Sequence, residues 1–189
     1  MIEQLLDYDT QLFLFLNNLG SPKWDSLWLA ITHEVTFVPL YAILLFLLHR
    51  KFGWKSLLIF VLVVVVMITF TDQMTNVFKR TFERPRPCRE AYLIDHMRFI
   101  AVRCGKYGFF SGHSSNSMAA AIFAGLMLKP YYKNLIFILF FWSLVVAYSR
   151  IYVGVHYPLD IVCGLIFGAF AGFAFYKFTK YLLNKFIKV

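Results

Sequence analysis

The sequence predicts an all-α fold: a polytopic transmembrane bundle of five spanning helices, preceded by an amphipathic helix lying along the membrane interface. Three observations point there. Of 189 residues, 60% are hydrophobic and only 15% charged, whereas ordinary globular domains carry about 25% charged residues. A chain this apolar has too little polar surface to cover a water-soluble globule. Its apolar residues also fall in runs that cross, or nearly cross, a hydrocarbon core, and the connections between most runs are short and basic. One domain covers residues 1–189, with no internal repeat and no low-complexity linker.

Residues Met1–Asn18 mix Glu3, Asp7 and Asp9 with Ile2, Leu5, Leu6, Leu12, Phe13, Phe15 and Leu16. The basic start of a signal peptide is missing, and the mixture suits a helix lying on a membrane. The first span runs from Trp24 to Leu48 and the second from Lys55 to Phe78. A hydrophilic stretch, Lys79–Tyr107, follows. The third span, Ser114–Leu128, is short and extended by its polar first turn. The fourth is Asn134–Ile151 and the fifth Leu159–Leu183. Backbone groups in lipid must be satisfied within the segment, so these runs are helices. His33 and Glu34 fall inside the first span and Asp72 near the end of the second. Ionisable groups at such depth imply polar partners in the bundle or contact with a ligand.

The formal net charge is +9. The basic residues lie between apolar runs, which suits lipid headgroups and membrane topology. No nucleic-acid-binding motif is present, so the bilayer is the expected partner, with no nucleic acid and no obligatory protein partner. The connection at 49–55 carries Arg50, Lys51 and Lys55. That at 129–133 carries Lys129, Lys133 and the helix-breaking Pro130, and the tail carries Lys177, Lys180, Lys185 and Lys188. None holds an acid. Five spans put all three on one side, which the positive-inside rule makes cytoplasmic. The loop on the other side is also rich in cations, as a site for an anion there would require. The ends of spans two and four and the starts of spans three and five then meet at that opposite face.

Of the three cysteines, Cys163 falls in an apolar run, whereas Cys88 and Cys104 share the hydrophilic loop. They would pair if that loop faces an oxidising compartment. No metal-ligand spacing occurs, and no metal or cofactor is expected.

Three polar clusters sit at the shared face: residues 79–87 (KRTFERPRP), 110–117 (FSGHSSNS) and 149–160 (SRIYVGVHYPLD). A metal-free phosphoryl-transfer site needs fixed positive charge on the nonbridging oxygens, which Lys79, Arg86 and Arg150 can supply. It gains from backbone N–H groups at a helix start, offered at Ser111, Gly112 and His113, where Gly112 allows close approach. His156 stands four residues before Asp160, with Pro158 suited to a first helical turn. Asp160 would hold one ring nitrogen and leave the other to attack phosphorus. His113 remains as the acid for the leaving group.

In these clusters the chain resembles the PAP2 (type 2 phosphatidic acid phosphatase) superfamily. Lys79 with Arg86-Pro87 resembles its K-x6-R-P motif, Ser111-Gly112-His113 its P-S-G-H motif, and Ser149-Arg150, His156 and Asp160 its S-R-x5-H-x3-D motif. The resemblance implies that Lys79, Arg86, Ser111, Gly112 and Arg150 bind phosphate, that His113 protonates the leaving group, that His156 is the nucleophile and that Asp160 orients it. It implies a lipid phosphate or pyrophosphate as substrate, undecaprenyl pyrophosphate first. Phosphatidylglycerophosphate, phosphatidic acid and the 1-phosphate of lipid A follow. A bacterial inner-membrane enzyme, with its site on the periplasmic or extracellular face, fits the small size. Rival readings are a lipid phosphotransferase and a non-enzymatic lipid carrier; intact His113, His156 and Asp160 argue against the carrier. Phe110 stands where the second motif has proline, which predicts a change of loop shape. Arg84, Arg89, Arg98, Arg103 and Lys106 read as surface charges or headgroup contacts, and Tyr107, Phe109 and Phe110 as interfacial anchors.

Overall fold

A computed structural model describes residues 2–187; Met1 of the N-terminal segment and Lys188 of the basic tail lie outside them. The described residues form an all-α bundle. Helix α1, Ile2–Asn18, turns Asp9, Phe13 and Asn17 inward at one-turn spacing. Its outward face shows Ile2, Leu5, Leu6, Leu12 and Phe15. This inverts the pattern of a soluble surface helix. Asn17 is fully buried and donates to the carbonyls of Arg98 and Ile151 at 3.0 and 2.9 Å, while its own oxygen accepts from the Arg98 N–H at 2.7 Å.

The first expected span is not one helix. Helix α2, Asp25–Thr32, ends at an extended His33, and a 3-10 turn at Glu34–Phe37 leads into helix α3, Val38–Phe82. The break has local causes. Pro39 sits in the first turn of α3, where a missing N–H costs nothing, and Thr36 Oγ1 donates across the corner to Ala30 O at 2.6 Å. His33 and Glu34 thus lie at a helix junction, and the Glu34 side chain is 84% exposed. Helix α2 instead covers the end of the bundle, with Trp28 stacked on Tyr152 at 5.0 Å between ring centroids.

Helix α3 absorbs the rest of span one and all of span two. At Gly53 its backbone takes φ 76°, ψ 177°, a region open almost only to glycine. Leu44 and Leu48 before this point and Phe60, Val63 and Met67 after it join one core cluster, so the chain folds back. The helix runs on through Lys79 to Phe82, so the hydrophilic loop starts four residues later than the composition suggests. Among the described residues three helical stretches are long and apolar enough to cross a membrane: Glu34–Phe82, Leu135–Tyr152 and Pro158–Phe186. The count differs from five because the first stretch contains the Gly53 fold and the helix that holds the third run, Gly112–Leu128, is only 17 residues long.

Helix α4 is a single turn, Ala91–Ile94, within the loop. That loop is closed on itself by a bridge between Pro85 and Tyr107, by the Gly108 N–H donating to Arg84 O at 2.8 Å, and by a Cys88–Cys104 disulfide with Cα atoms 6.3 Å apart. Cys163 is free. Thiol titration of denatured, unreduced protein is therefore expected to find one thiol; three would show that the bridge does not form.

Helices α5 (Gly112–Leu128), α6 (Leu135–Tyr152) and α7 (Pro158–Phe186) complete the bundle. α5 is its centre. Gly164, Gly168 and Gly172 form one stripe of α7, and a β-carbon added there would stand 2.6, 2.2 and 2.5 Å from the carbonyl oxygens of Ser111, Ser115 and Ala119. The two backbones touch along this seam, the close approach that small residues four apart permit between helices in lipid.

Candidate active site

Four helix ends meet at one end of the bundle: the C-terminus of α3, the N-terminus of α5, the C-terminus of α6 and the N-terminus of α7. They bring the three sequence clusters together. Gly154, at φ 85°, turns the chain out of α6. Pro158 opens α7 and Asp160 lies in its first turn. Asp160 Oδ2 accepts from the Tyr157 N–H at 3.1 Å and lies 3.3 Å from His156 Nδ1. Asp160 O also accepts the Ser111 N–H at 3.0 Å, tying the α5 start to the α7 start. With Asp160 ionised, His156 Nδ1 carries hydrogen and Nε2 keeps its lone pair.

His156 is almost wholly buried, at 1% exposure. Burial first, then the charges of Arg86, Arg150 and Lys79, hold its pKa well below the ordinary 6.5. The imidazole is therefore neutral at pH 7, the form that can attack. The three cations are held from different elements. Lys79 reaches from the last turn of α3, its Nζ 3.9 Å from where a Gly112 β-carbon would stand. Arg86 Nε donates to Tyr107 O at 3.0 Å. A β-carbon at Gly108 would come within 2.9 Å of Asp160 Oδ2 and 3.3 Å of Arg86 Cγ, so the loop backbone lies directly on the site. Arg150 Nη1 donates to Thr32 Oγ1, and its Nε is buried without a partner among the described residues.

Ser111 caps α5. Its Oγ accepts from the Ser114 hydroxyl at 3.0 Å and the Ser114 N–H at 3.4 Å, leaving the first N–H groups of the helix to face the cluster. His113 sits in that first turn, within the electrostatic reach of Arg150, His156 and Lys79. Its Nε2 is 3.7 Å from Glu34 Oε1. Three cations and a helix start around a neutral, oriented imidazole suit a phosphate group. Beside His113 opens an apolar cavity of about 430 Å3, lined among others by Glu34, Tyr41, Met67, Ile68, Phe123 and Trp142.

All eight residues marked from the motifs lie at this end of the fold. Four others join them, of which the sequence singles out only Glu34, as an ionisable group that implies a polar partner or a ligand. Thr32 and Glu34 come from the α2–α3 junction. Arg84 is not a surface charge. It donates to Asp160 Oδ1 at 2.8 Å and to Asp9 Oδ2 at 2.6 Å. Asp9 arrives from α1, and its other oxygen accepts the Leu159 N–H at 2.8 Å. Nothing in the spacing of Asp9 and Arg84 foretells this; Arg84's place inside the first cluster is the one hint. Arg98 is likewise paired, with Asp25 at 2.8 Å. Phe110 is core rather than an anchor, packed on Phe78 and Phe167 at 5.1 and 5.0 Å.

The sequence pattern of the PAP2 superfamily matches residues 54–183. The chain is 41% identical over 179 residues to the lipid A 4′-phosphatase of Bacteroides thetaiotaomicron, covering 93% of this chain and 79% of that protein. It is 33% identical to the lipid A 4′-phosphatase of Porphyromonas gingivalis, over 98% of this chain and 79% of that one. At 26% identity it matches the undecaprenyl-diphosphatase of Sulfolobus acidocaldarius, over 90% and 78%. The crystal structure of a transmembrane PAP2-type phosphatidylglycerolphosphate phosphatase from Bacillus subtilis has the same fold, with a TM-score of 0.75 at 19% identity, covering 94% of this chain and 87% of that one. With the motif residues gathered at one end of an apolar helical bundle, the chain belongs to the PAP2 superfamily and is a multi-pass membrane lipid phosphatase.

Proposed function

We propose that this enzyme removes the 4′-phosphate from lipid A, or from a glycolipid of that kind, through a phosphohistidine. The observation that carries the chemistry is the buried His156, oriented by Asp160 and ringed by Lys79, Arg86 and Arg150. The observation that favours the substrate is the 41% identity to a lipid A 4′-phosphatase across 93% of the chain.

In this reading the phosphate sits on the start of α5. The N–H groups there, at Gly112 and its neighbours, join Lys79, Arg86 and Arg150 in holding the nonbridging oxygens, and Ser111 shapes the turn. His156 Nε2 attacks phosphorus as the bond to the sugar oxygen breaks, and His113 gives that oxygen a proton. Water then attacks the phosphohistidine, His113 takes a proton back, and inorganic phosphate leaves. Nothing here asks for a metal or a cofactor. The cavity beside His113 would take an acyl chain. Residues 1–189 act as one domain with five crossings, α3 supplying two across its Gly53 fold and α5, α6 and α7 one each, while α1 lies on the surface. Basic connections at 49–55 and 129–133 favour a cytoplasmic position for that side of a bacterial inner membrane, and hence a periplasmic site.

A second reading, undecaprenyl pyrophosphate hydrolysis, has its support in the 26% identical relative. Detergent-purified enzyme, given lipid A bearing both phosphates in the presence of EDTA, is expected to release phosphate and leave the 1-phosphate species, identified by mass spectrometry. Faster release from undecaprenyl pyrophosphate in the same assay would favour the second reading. Phosphate appearing on an added acceptor lipid instead of in water would make the enzyme a transferase.

A further inference from the structure

The ion-pair chain behind His156 extends beyond the three motifs and ends on the first helix of the protein. Both oxygens of Asp160 are committed: Oδ2 to His156 and the Tyr157 N–H, Oδ1 to Arg84. The Arg84 guanidinium lies over the Tyr157 ring, 4.2 Å from its centroid, and reaches on to Asp9. Asp9 returns to α7 by accepting the Leu159 N–H, one of the donors left over at a helix start. The result is a closed ring: Asp160 to Arg84, Arg84 to Asp9, Asp9 to Leu159, and Leu159 along the backbone to Asp160. Phe13, one turn after Asp9, packs edge-on against Tyr157 at 5.4 Å and fixes α1 in this position.

We propose that Asp9 and Arg84 are positioning residues for the His156–Asp160 pair, so that the N-terminal helix sets the geometry of the nucleophile. The inference rests on the reading of His156 as the nucleophile. Its logic is one of shared charge. A single guanidinium serves two buried carboxylates. Burial works against the charged form of Arg84, but Asp160 and Asp9 outweigh it and hold its pKa above the ordinary arginine value. If Asp9 loses its charge, all of Arg84's attraction falls on Asp160. Asp160 Oδ1 is then bound more tightly, Oδ2 turns away from His156, and the imidazole loses its fixed orientation. Lysine at position 84 could not replace arginine, because it lacks the fork that spans two carboxylates. The outward face of α1, with Leu5, Leu12 and Phe15 exposed, suits a bilayer surface, so the ring also links the membrane-facing helix to the chemistry.

The test uses the full-length enzyme in detergent micelles, with lipid A carrying both phosphates. Asp9→Asn keeps an oxygen for the Leu159 N–H but removes the charge and the second acceptor that face Arg84. It is expected to lower kcat about tenfold, the scale of a partner that orients a reacting group, with KM changed less than about twofold and the melting temperature nearly unchanged. Glu3→Gln, an exposed charge on the same helix, is expected to leave kcat as it is. In protein labelled with 15N-histidine, the His156 ring signal, assigned by its absence in His156→Ala, should shift in Asp9→Asn and not in Glu3→Gln. A lower melting temperature with kcat per folded molecule and the ring signal both unchanged would make Asp9 a mere anchor and overturn the inference. If His156→Ala is inactive while Asp9→Asn matches wild type, the inference alone fails. If His156→Ala is as active as wild type, the nucleophile reading beneath it fails first.

Discussion

The His156→Ala enzyme is expected to lose turnover by roughly 10^4-fold or more, the scale seen when a covalent catalyst loses its attacking group. The size follows from what stays behind. Lys79, Arg86 and Arg150 remain, and in the proposed function they hold the phosphate, so affinity for inorganic phosphate or a substrate analogue should survive. No other described side chain offers a neutral nitrogen held by a buried carboxylate next to those cations; His113 faces Glu34 instead. The variant should still fold, because truncating one side chain costs about 1–3 kcal/mol. Wild-type enzyme quenched in alkali during turnover should carry phosphate on histidine, and the variant should carry none. Retained turnover would send the nucleophile elsewhere.

Gly168→Ala is expected to cost about 3 kcal/mol, and activity should fall with it. The added β-carbon would stand 2.2 Å from Ser115 O and 3.0 Å from Ser115 C and Cα. These are backbone atoms of the central helix and cannot swing aside as a side chain can. Relief requires α5 and α7 to part, and dispersion contacts between closely packed helices are the main attraction in lipid. The same seam sets Ser111 against Asp160, whose backbone hydrogen bond of 3.0 Å joins the α5 start to the α7 start. Melting in detergent and phosphate release should therefore decline together. An unchanged melting temperature would show that the seam has slack the structure does not display.

The gathering of the candidate site was legible in the sequence because the proposed chemistry demands uncommon residues in fixed local order. His156, Pro158 and Asp160 build one helix start, and a four-residue spacing states that geometry outright. The same holds for Ser111-Gly112-His113. Asp9 and Arg84 stayed hidden for the opposite reason. Their pairing spans 75 residues, and no local rule relates positions so far apart. The apolar residues of α1 suggest a membrane-surface helix, whereas its inward stripe of Asp9, Phe13 and Asn17 shows meaning only once a partner is present. The first span failed because hydropathy averages over a junction. Val35, Phe37 and Val38 keep the run apolar while Pro39 and the Thr36 bond end one helix and begin another. The α7 glycines carry no local signal; their use shows only where α5 lies against them.

The Asp9–Arg84–Asp160 chain also imposes an order on assembly. Arg84 follows Asp9 by 75 residues and precedes Asp160 by 76. At 5–20 residues per second, the ribosome delivers Asp160 roughly 4–15 s after Arg84. During that interval Asp9 is the one carboxylate of the ring already made. The ring closes only when the last helix arrives, because Leu159 and Tyr157, which hold Asp9 and Phe13 of α1, are made after Arg84.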